Sequence, residues 1–188
     1  MVRARSRHAL FISVALFGGL VGFAPAQGAP AGGDEIPAIL APASESVMLF
    51  ALQARGVQIY ACDARPDDPA TFVWTFQAPE AELRNERGEV VGRHFAGPTW
   101  QSHDGSAVVG AVLERADAPE PDAIPWLLLE ATEHAGSGAF ATTTHIQRLD
   151  TAGGVAPAAG CDATHAGEEV REPYEATYAF FYSVAPAA

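Results

Sequence analysis

Apolar and polar residues alternate with a period of two in many segments from residue 57 onward. In residues 57–62, Val57 and Ile59 fall on one face of an extended chain, and Gln58 and Tyr60 fall on the other. Side chains alternate in this way along strands, whereas a helix repeats every 3.6 residues. The segments are separated by breaks rich in glycine and proline. The pattern predicts a mostly β chain of about eight strands, folded as a single-domain antiparallel β-sandwich or small barrel.

Turn residues indicate where these strands end. Ala78-Pro79 is predicted to stop one strand, because proline cannot donate to a central ladder. Residues 81–84 and 89–95 flank Asn85-Glu86-Arg87-Gly88, which is predicted to be a hairpin turn. Residues 124–129 are nearly all apolar and predict a strand that is buried on both faces.

Residues 36–55 hold the best helical pattern in the chain. Ser44 precedes Val47 by three positions and is suited to cap a turn that runs through Met48 and Leu52. The segment ends before a glycine, so the sequence predicts one short N-terminal helix ahead of the strands.

The first 26 residues have the three regions of a secretory signal peptide. Three arginines within residues 3–7 precede an apolar run over residues 9–24, and Ala24-Pro25-Ala26 is a small-x-small site. The run is shorter than the roughly twenty residues of a membrane span. We therefore predict cleavage after Ala26, with a retained N-terminal membrane anchor as the alternative.

Cleavage there would leave a flexible leader over residues 27–37 and one β-rich domain over residues 38–185. It would also leave eight basic residues, all arginine, against 23 acidic ones, so the net charge would change from −12 to −15. An acidic surface argues against nucleic-acid binding and against docking on anionic lipid. We predict an exported protein, periplasmic or secreted, that has no nucleic-acid partner and no stable membrane insertion.

The predicted export bears on whether the two cysteines form a disulfide. In an oxidising compartment, a pair of cysteines usually forms a disulfide, so we predict a bond between Cys62 and Cys161. The alternative is a thiolate nucleophile or a metal ligand, but neither cysteine belongs to a C-x-x-C pair.

Sequence motifs for catalysis are weak. Gly136–Ala141 matches the G-x-G-x-x-A pattern, but strand-forming threonines follow it where a dinucleotide site needs a helix, so a β-turn is the better interpretation. Ser106 lies near His103 and Asp104, but the members of a catalytic triad normally come from distant segments. The histidines after residue 26 form no H-x-H or H-E-x-x-H pattern, so no metal site and no cofactor is identified; they are His94, His103, His134, His145 and His165.

Residues 92–106 are the most informative segment for function. They place imidazoles, two aromatic rings and a carboxylate around Gly97-Pro98, and a small-molecule pocket needs such an apolar wall with a few fixed polar groups. The alternative is a structural corner. The predicted ligand-binding residues, including three from other segments, are His94, Trp100, Asp104, Trp126, Gln58 and Tyr60.

Several of these segments resemble DUF3455, a family of exported bacterial and fungal proteins of unknown function. The resemblance covers residues 38–182 and implies membership in the family, with no established activity. It rests on residues 56–62, 74–79, 92–106, 124–129, 146–148 and 151–154, and on Pro173, Tyr174 and Tyr178.

The sequence favours a binding module for a small molecule or an extended ligand. A hydrolase or metal-dependent enzyme that uses His94, His103 and Asp104 is the first alternative, and a structural protein of the cell envelope is the second. Whether the protein is a catalyst at all is left open.

Overall fold

The computed structural model describes residues 35–183 and shows a mostly β chain. Among these residues, the one helical element is a 3₁₀ turn at Ala38–Leu40. All other regular structure is extended, in eight strands: β1 (Ser46–Ala64), β2 (Phe72–Arg84), β3 (Val90–Phe95), β4 (Thr99–Ser102), β5 (Ala107–Ala116), β6 (Trp126–Ala135), β7 (His145–Gly153) and β8 (Glu169–Ser183).

All eight strands belong to one antiparallel sheet, as predicted in outline. Each strand pairs with its neighbour in sequence, and β1 also pairs with β8, so the sheet closes on itself. The 19-residue β1 closes the sheet by pairing with β8 over most of its length, from Ser46 opposite Ser183 to Ala61 opposite Glu169. No second sheet packs against this one within residues 35–183.

The prediction of a short helix within residues 36–55 is wrong. The 3₁₀ turn is three residues long, and Ser46 already begins β1. Leu52 and Ala54 are buried at a spacing of two, and this segment pairs with β8 along its length. The long ladder therefore overrides the local helical pattern, because hydrogen bonding and packing outweigh weak propensities.

The prediction that Ala78-Pro79 ends a strand is also wrong, because β2 continues through Pro79 to Arg84. Pro79 lies opposite Gln58 of β1, but pairing with β3 begins only at Ala81. At Pro79 the strand therefore has a partner on one side only, which is the edge situation in which proline is tolerated.

The prediction of a hairpin after β2 is confirmed. Asn85 Oδ1 accepts hydrogen bonds from the backbone N–H groups of Arg87 and Glu89, both at 3.0 Å. Gly88 takes a left-handed φ of 77° at the end of the turn, which a glycine adopts at little cost.

Apolar residues pack in two clusters, one on each side of the sheet. The larger lies inside the closed sheet and includes Trp100, Tyr178 and Phe180. The smaller lies on the outer face, where Leu40 of the 3₁₀ turn covers Trp126 and Leu128. The first four residues of β6 are all buried for this reason, which confirms the prediction of a strand buried on both faces.

The disulfide prediction is confirmed, because Cys62 of β1 is bonded to Cys161 in the β7–β8 loop. No helix of residues 35–183 is long and apolar enough to cross a membrane. The predicted signal peptide, most of the leader and the last two residues of the predicted domain lie outside the described residues, so those boundaries stay predictions.

Candidate functional site

The β3–β4 hairpin is shorter than the strands on either side of it. Pairing of β2 with β3 begins at Ala81, so residues 72–80 of β2 have no partner on that side. Pairing of β4 with β5 ends at Val109, and residues 111–116 of β5 have no partner there. The sheet is therefore open on one side, between these two strand segments and beyond the hairpin turn. We call this opening the notch.

A cavity of ≈ 300 Å³ lies at the notch. Its size is at the lower end of the range of about 300–1,000 Å³ that is typical of small-molecule sites. Side chains from the notch and from the interior of the sheet line it: Gln58, Phe76, Gln77, Pro79, His94, Gly97, Pro98, Trp100, Val112, Leu127, Leu129, Arg148 and Tyr178.

His94 and Trp100 form the aromatic wall of this cavity. They are cross-strand partners in β3 and β4, and their rings stack at 4.4 Å with 13° between planes. The ring of Tyr178 meets both of them edge on, with ring centroids 4.9 Å from His94 and 5.2 Å from Trp100. Gly97-Pro98 reverses the chain between the two strands, so the hairpin that the sequence places here is what brings the rings together.

His94 is neutral in the folded protein. Its Nδ1 lies 2.9 Å from the carbonyl oxygen of Thr99. A carbonyl can only accept, so Nδ1 carries the hydrogen and Nε2 is left as an acceptor. Burial lowers the pKa of His94 to about 3, with a smaller lowering contribution from the charge of Arg148.

Three buried polar atoms of the cavity lining have no hydrogen-bond partner among the described residues. They are Gln58 Nε2, Trp100 Nε1 and the hydroxyl of Tyr178. Three more such atoms belong to residues outside the lining: the Tyr174 hydroxyl, Trp126 Nε1 and Thr143 Oγ1. Burial raises the pKa of Tyr178, and the charge of Arg148 and the neighbouring Tyr174 hydroxyl and Arg148 guanidinium oppose that change. The group is therefore a neutral hydrogen-bond donor near pH 7.

Arg148 brings the one positive charge of the cavity lining. It lies on β7 between Leu127 of β6 and Tyr178 of β8. Its Nε and Nη2 donate to the carbonyl oxygen of Pro125 at 3.0 and 2.8 Å. The sequence analysis did not select Arg148 or Tyr178. Ile146 and Arg148 share a strand face, but Gln147 and Leu149 on the other face are also buried, so alternation could not show which face is interior.

The structure brings together three of the six predicted ligand-binding residues, namely Gln58, His94 and Trp100. Tyr60 lies beside the cavity: its ring meets Phe76 edge on, and its hydroxyl donates to the carbonyl oxygen of Gly154 at 2.6 Å. Trp126 belongs to the cluster on the outer face.

Asp104 lies in the β4–β5 turn, at the end of the sheet opposite the β3–β4 turn. Its carboxylate accepts hydrogen bonds from Ser106 Oγ at 2.6 Å and from the backbone N–H of Ala139 at 2.8 Å. These bonds, led by the one from Ser106, lower the pKa of Asp104 to about 2. The arrangement ties the β4–β5 turn to the β6–β7 loop, at the end of the sheet away from the β3–β4 turn.

The same contacts bear on the hydrolase alternative. Ser106 Oγ donates to Asp104 and accepts from the backbone N–H of Phe140, so no histidine is positioned as its base within residues 35–183. In that part of the chain, no group of three His, Cys, Asp or Glu side chains is arranged to hold a metal ion.

A larger and more open hollow of ≈ 680 Å³ lies at that opposite end, against Met48, Phe50, Phe140 and the β2–β3 turn. None of the unpartnered buried side-chain atoms of residues 35–183 belongs to its lining. The notch cavity is therefore the better candidate for specific recognition.

Comparison with known proteins gives one match. The model of a family described as "Protein of unknown function (DUF3455)" matches residues 42–182. No curated protein and no solved structure matches the chain.

Proposed function

The chain belongs to the DUF3455 family, and from this premise we propose that it is a binding module which holds a small molecule in the notch cavity. One observation carries the proposal. Gln58, Trp100 and Tyr178 line one cavity, and each carries a buried polar side-chain atom with no hydrogen-bond partner within residues 35–183.

Such groups are costly in a folded protein. A buried donor that lacks an acceptor costs about 1–3 kcal/mol, and most buried polar atoms are paired. Three unpaired polar groups at one cavity would together lower the stability of the domain by several kcal/mol, out of a typical total of about 5–15 kcal/mol. A ligand that accepts these hydrogen bonds recovers part of that cost.

The remaining surface of the cavity suits a compact apolar body. Leu127, Leu129 and Pro98 supply hydrocarbon, and the His94–Trp100 pair supplies a flat wall. Phe76 and Val112, which are 50% and 54% exposed, stand at the notch and border the entrance. Because the unpartnered atoms lie inside the sheet, we favour a small molecule over an extended chain laid across the surface.

We propose that binding takes place outside the cytoplasm. The Cys62–Cys161 disulfide supports this, since stable disulfides form in oxidising compartments. The predicted signal peptide over residues 1–26 agrees with it. Mass spectrometry of the protein recovered from culture would test both points, and a mature chain that retains Met1 would contradict cleavage.

The binding proposal is tested by following the indole N–H groups in ¹H–¹⁵N spectra. Phenol, indole, benzamide and benzoate are added in turn. We expect at least one to shift the Trp100 signal and to leave that of Trp126, on the outer face, unchanged. If none of the four shifts the Trp100 signal, the proposal is wrong.

Two neighbouring variants provide the matched control. Val112→Trp narrows the entrance and should abolish the shift, because Val112 lines the cavity. Leu113→Trp places the same ring on a residue that is 44% exposed and outside the lining, and should bind as the wild type does. Equal binding by both variants would show that the compounds do not enter through the notch.

A further inference from the structure

Arg148 is a half-buried arginine without a carboxylate partner. It forms no ion pair with any Asp or Glu of residues 35–183; the six pairs of that part of the chain all involve other residues. The carbonyl oxygen of Pro125 takes two of its five N–H groups. The guanidinium also interacts with the hydroxyl of Tyr178. The side chain lines the notch cavity and has further N–H groups to offer a ligand.

The groups around Arg148 also favour an electron-rich ligand. The amide nitrogen of Gln58, the indole nitrogen of Trp100 and the hydroxyl of Tyr178 are all unpartnered donors. Removing a cation from water is expensive unless an opposite charge or several acceptors surround it. The lining holds one guanidinium and three neutral donors against the one imidazole acceptor, Nε2 of His94, so the cavity matches an anion better than a neutral or cationic ligand.

We propose that the ligand is a small carboxylate with an apolar, ring-sized body, and that Arg148 is its counter-ion in the cavity. This inference depends on the proposed function and adds the chemical class of the ligand. A guanidinium suits a carboxylate because its N–H groups form a planar fork that matches the two oxygens. The apolar wall of Leu127, Leu129 and the stacked rings receives the body.

A single charge on the ligand follows from the charges nearby. The chain as a whole carries a net charge of −12, and the cavity lining contributes one cation. Glu172, which lies opposite Gln58 on β8, adds a negative charge near Tyr60. A dianion such as a phosphate monoester would meet more repulsion than one arginine can balance.

Benzoate and benzamide test the inference, because they share a ring and differ mainly in charge. Titration of the wild-type protein at pH 7 should give at least tenfold tighter binding of benzoate. The Nε–H signal of Arg148 should shift with benzoate and much less with benzamide. Arg148→Gln should reduce benzoate affinity at least tenfold and change benzamide affinity less than twofold. Arg93→Gln removes an exposed arginine from the outer face of the β3–β4 hairpin, and it should preserve the tighter binding of benzoate over benzamide.

The two proposals fail in different ways. If both compounds bind in the cavity with equal affinity, the carboxylate inference is wrong and the binding function stands. If neither compound shifts the Trp100 signal, the carboxylate inference is wrong; the binding function is wrong as well if phenol and indole also leave that signal unchanged. Should Arg148→Gln not fold, the wild-type comparison and the Arg148 Nε–H signal still decide the question.

Discussion

The imidazole of His94 lies flat against the indole of Trp100, with 4.4 Å between ring centroids and 13° between ring planes. The two residues are direct partners in a hairpin whose strands are six and four residues long. Both side chains are buried, so the stack forms part of the interior and part of the cavity wall. Because His94 is held neutral there, the pair also makes the fold sensitive to acid.

The first prediction is a loss of stability as the pH falls. The pKa of His94 is lowered to about 3, whereas an unfolded histidine has a pKa near 6.5. Between these values the unfolded chain binds the extra proton, so the free energy of unfolding decreases as the pH falls from about 6.5 toward about 3. The slope from this group reaches about 1.4 kcal/mol per pH unit.

Urea denaturation between pH 6.5 and 4.5 measures this slope before most carboxylates titrate. His94→Gln should flatten it. His165→Gln is the control, because the hydrogen bond and charge of Asp162 raise the pKa of that exposed histidine. The contribution of His165 to the free energy of unfolding therefore has the opposite sign: it is present at low pH and is lost as the pH rises. A His94→Gln variant with the wild-type slope would contradict the neutral assignment.

The second prediction concerns the disulfide. Cys62 and Cys161 are 99 positions apart, and closing a loop near 100 residues stabilises a fold by about 4.7 kcal/mol in the chain-entropy model. We expect the double variant Cys62→Ala, Cys161→Ala to lose about 2–5 kcal/mol in denaturant titrations. Adding a reductant should destabilise the wild type and leave the double variant unaffected; sensitivity of the variant to reductant would point to another cause.

The third prediction concerns Gly138, whose missing side chain makes room for Asp104. A Cβ at Gly138 would overlap the carboxylate of Asp104. Gly138→Ala should therefore cost about 1–3 kcal/mol of stability by overpacking. In the Asp104→Ala background the same change should cost about 1 kcal/mol less, because the overlap is gone. Equal costs in both backgrounds, measured by thermal unfolding, would rule out this explanation.

The fourth prediction separates Tyr60 from the ligand site. Its hydroxyl donates to the buried carbonyl of Gly154, and Tyr60→Phe leaves that carbonyl unpaired. We expect a loss of about 1–3 kcal/mol in stability and no change in benzoate affinity. Tyr182→Phe, at a residue that is 41% exposed, should change neither quantity. Weaker benzoate binding by Tyr60→Phe would place its hydroxyl in the site.

The fifth prediction concerns the negative charge of Glu172 beside the cavity. It lies opposite Gln58 in the ladder between β1 and β8. Glu172→Gln should tighten benzoate binding about two- to tenfold by removing repulsion. Glu175→Gln removes a charge from an exposed position on the same strand, where it pairs with Arg55, and should have little effect. Calorimetric titration compares the two, and equal effects would show that only net charge matters.

Much of the fold could be predicted from local chemistry. The alternation around Val57, the Asn85–Gly88 turn and the apolar run at Trp126 each specify a strand or a turn without help from distant residues. The cysteine pair was predictable because export and pairing are linked. Long-range pairing decided the rest. The ladder with β8 made Met48 part of a strand, and the late start of pairing with β3 allowed Pro79 to stay inside β2.

The site was predictable only in part for the same reason. His94 and Trp100 lie on either side of one tight turn, so their proximity follows from the sequence. Asp104 is even closer to Trp100 in sequence than His94 is, but the rest of β4 carries it to the opposite end of the sheet. Arg148 lines the cavity only because the sheet closes on itself, and no local sequence pattern predicts that closure.

The notch has a second consequence, which concerns self-association. Two strand segments border it with unpaired backbone groups, and such edges can template the addition of a strand from another molecule. Pro79 has no N–H group, so β2 cannot donate a backbone hydrogen bond to an added strand at that position. A proline within an unpaired strand segment is one of the features that limit pairing with a second molecule.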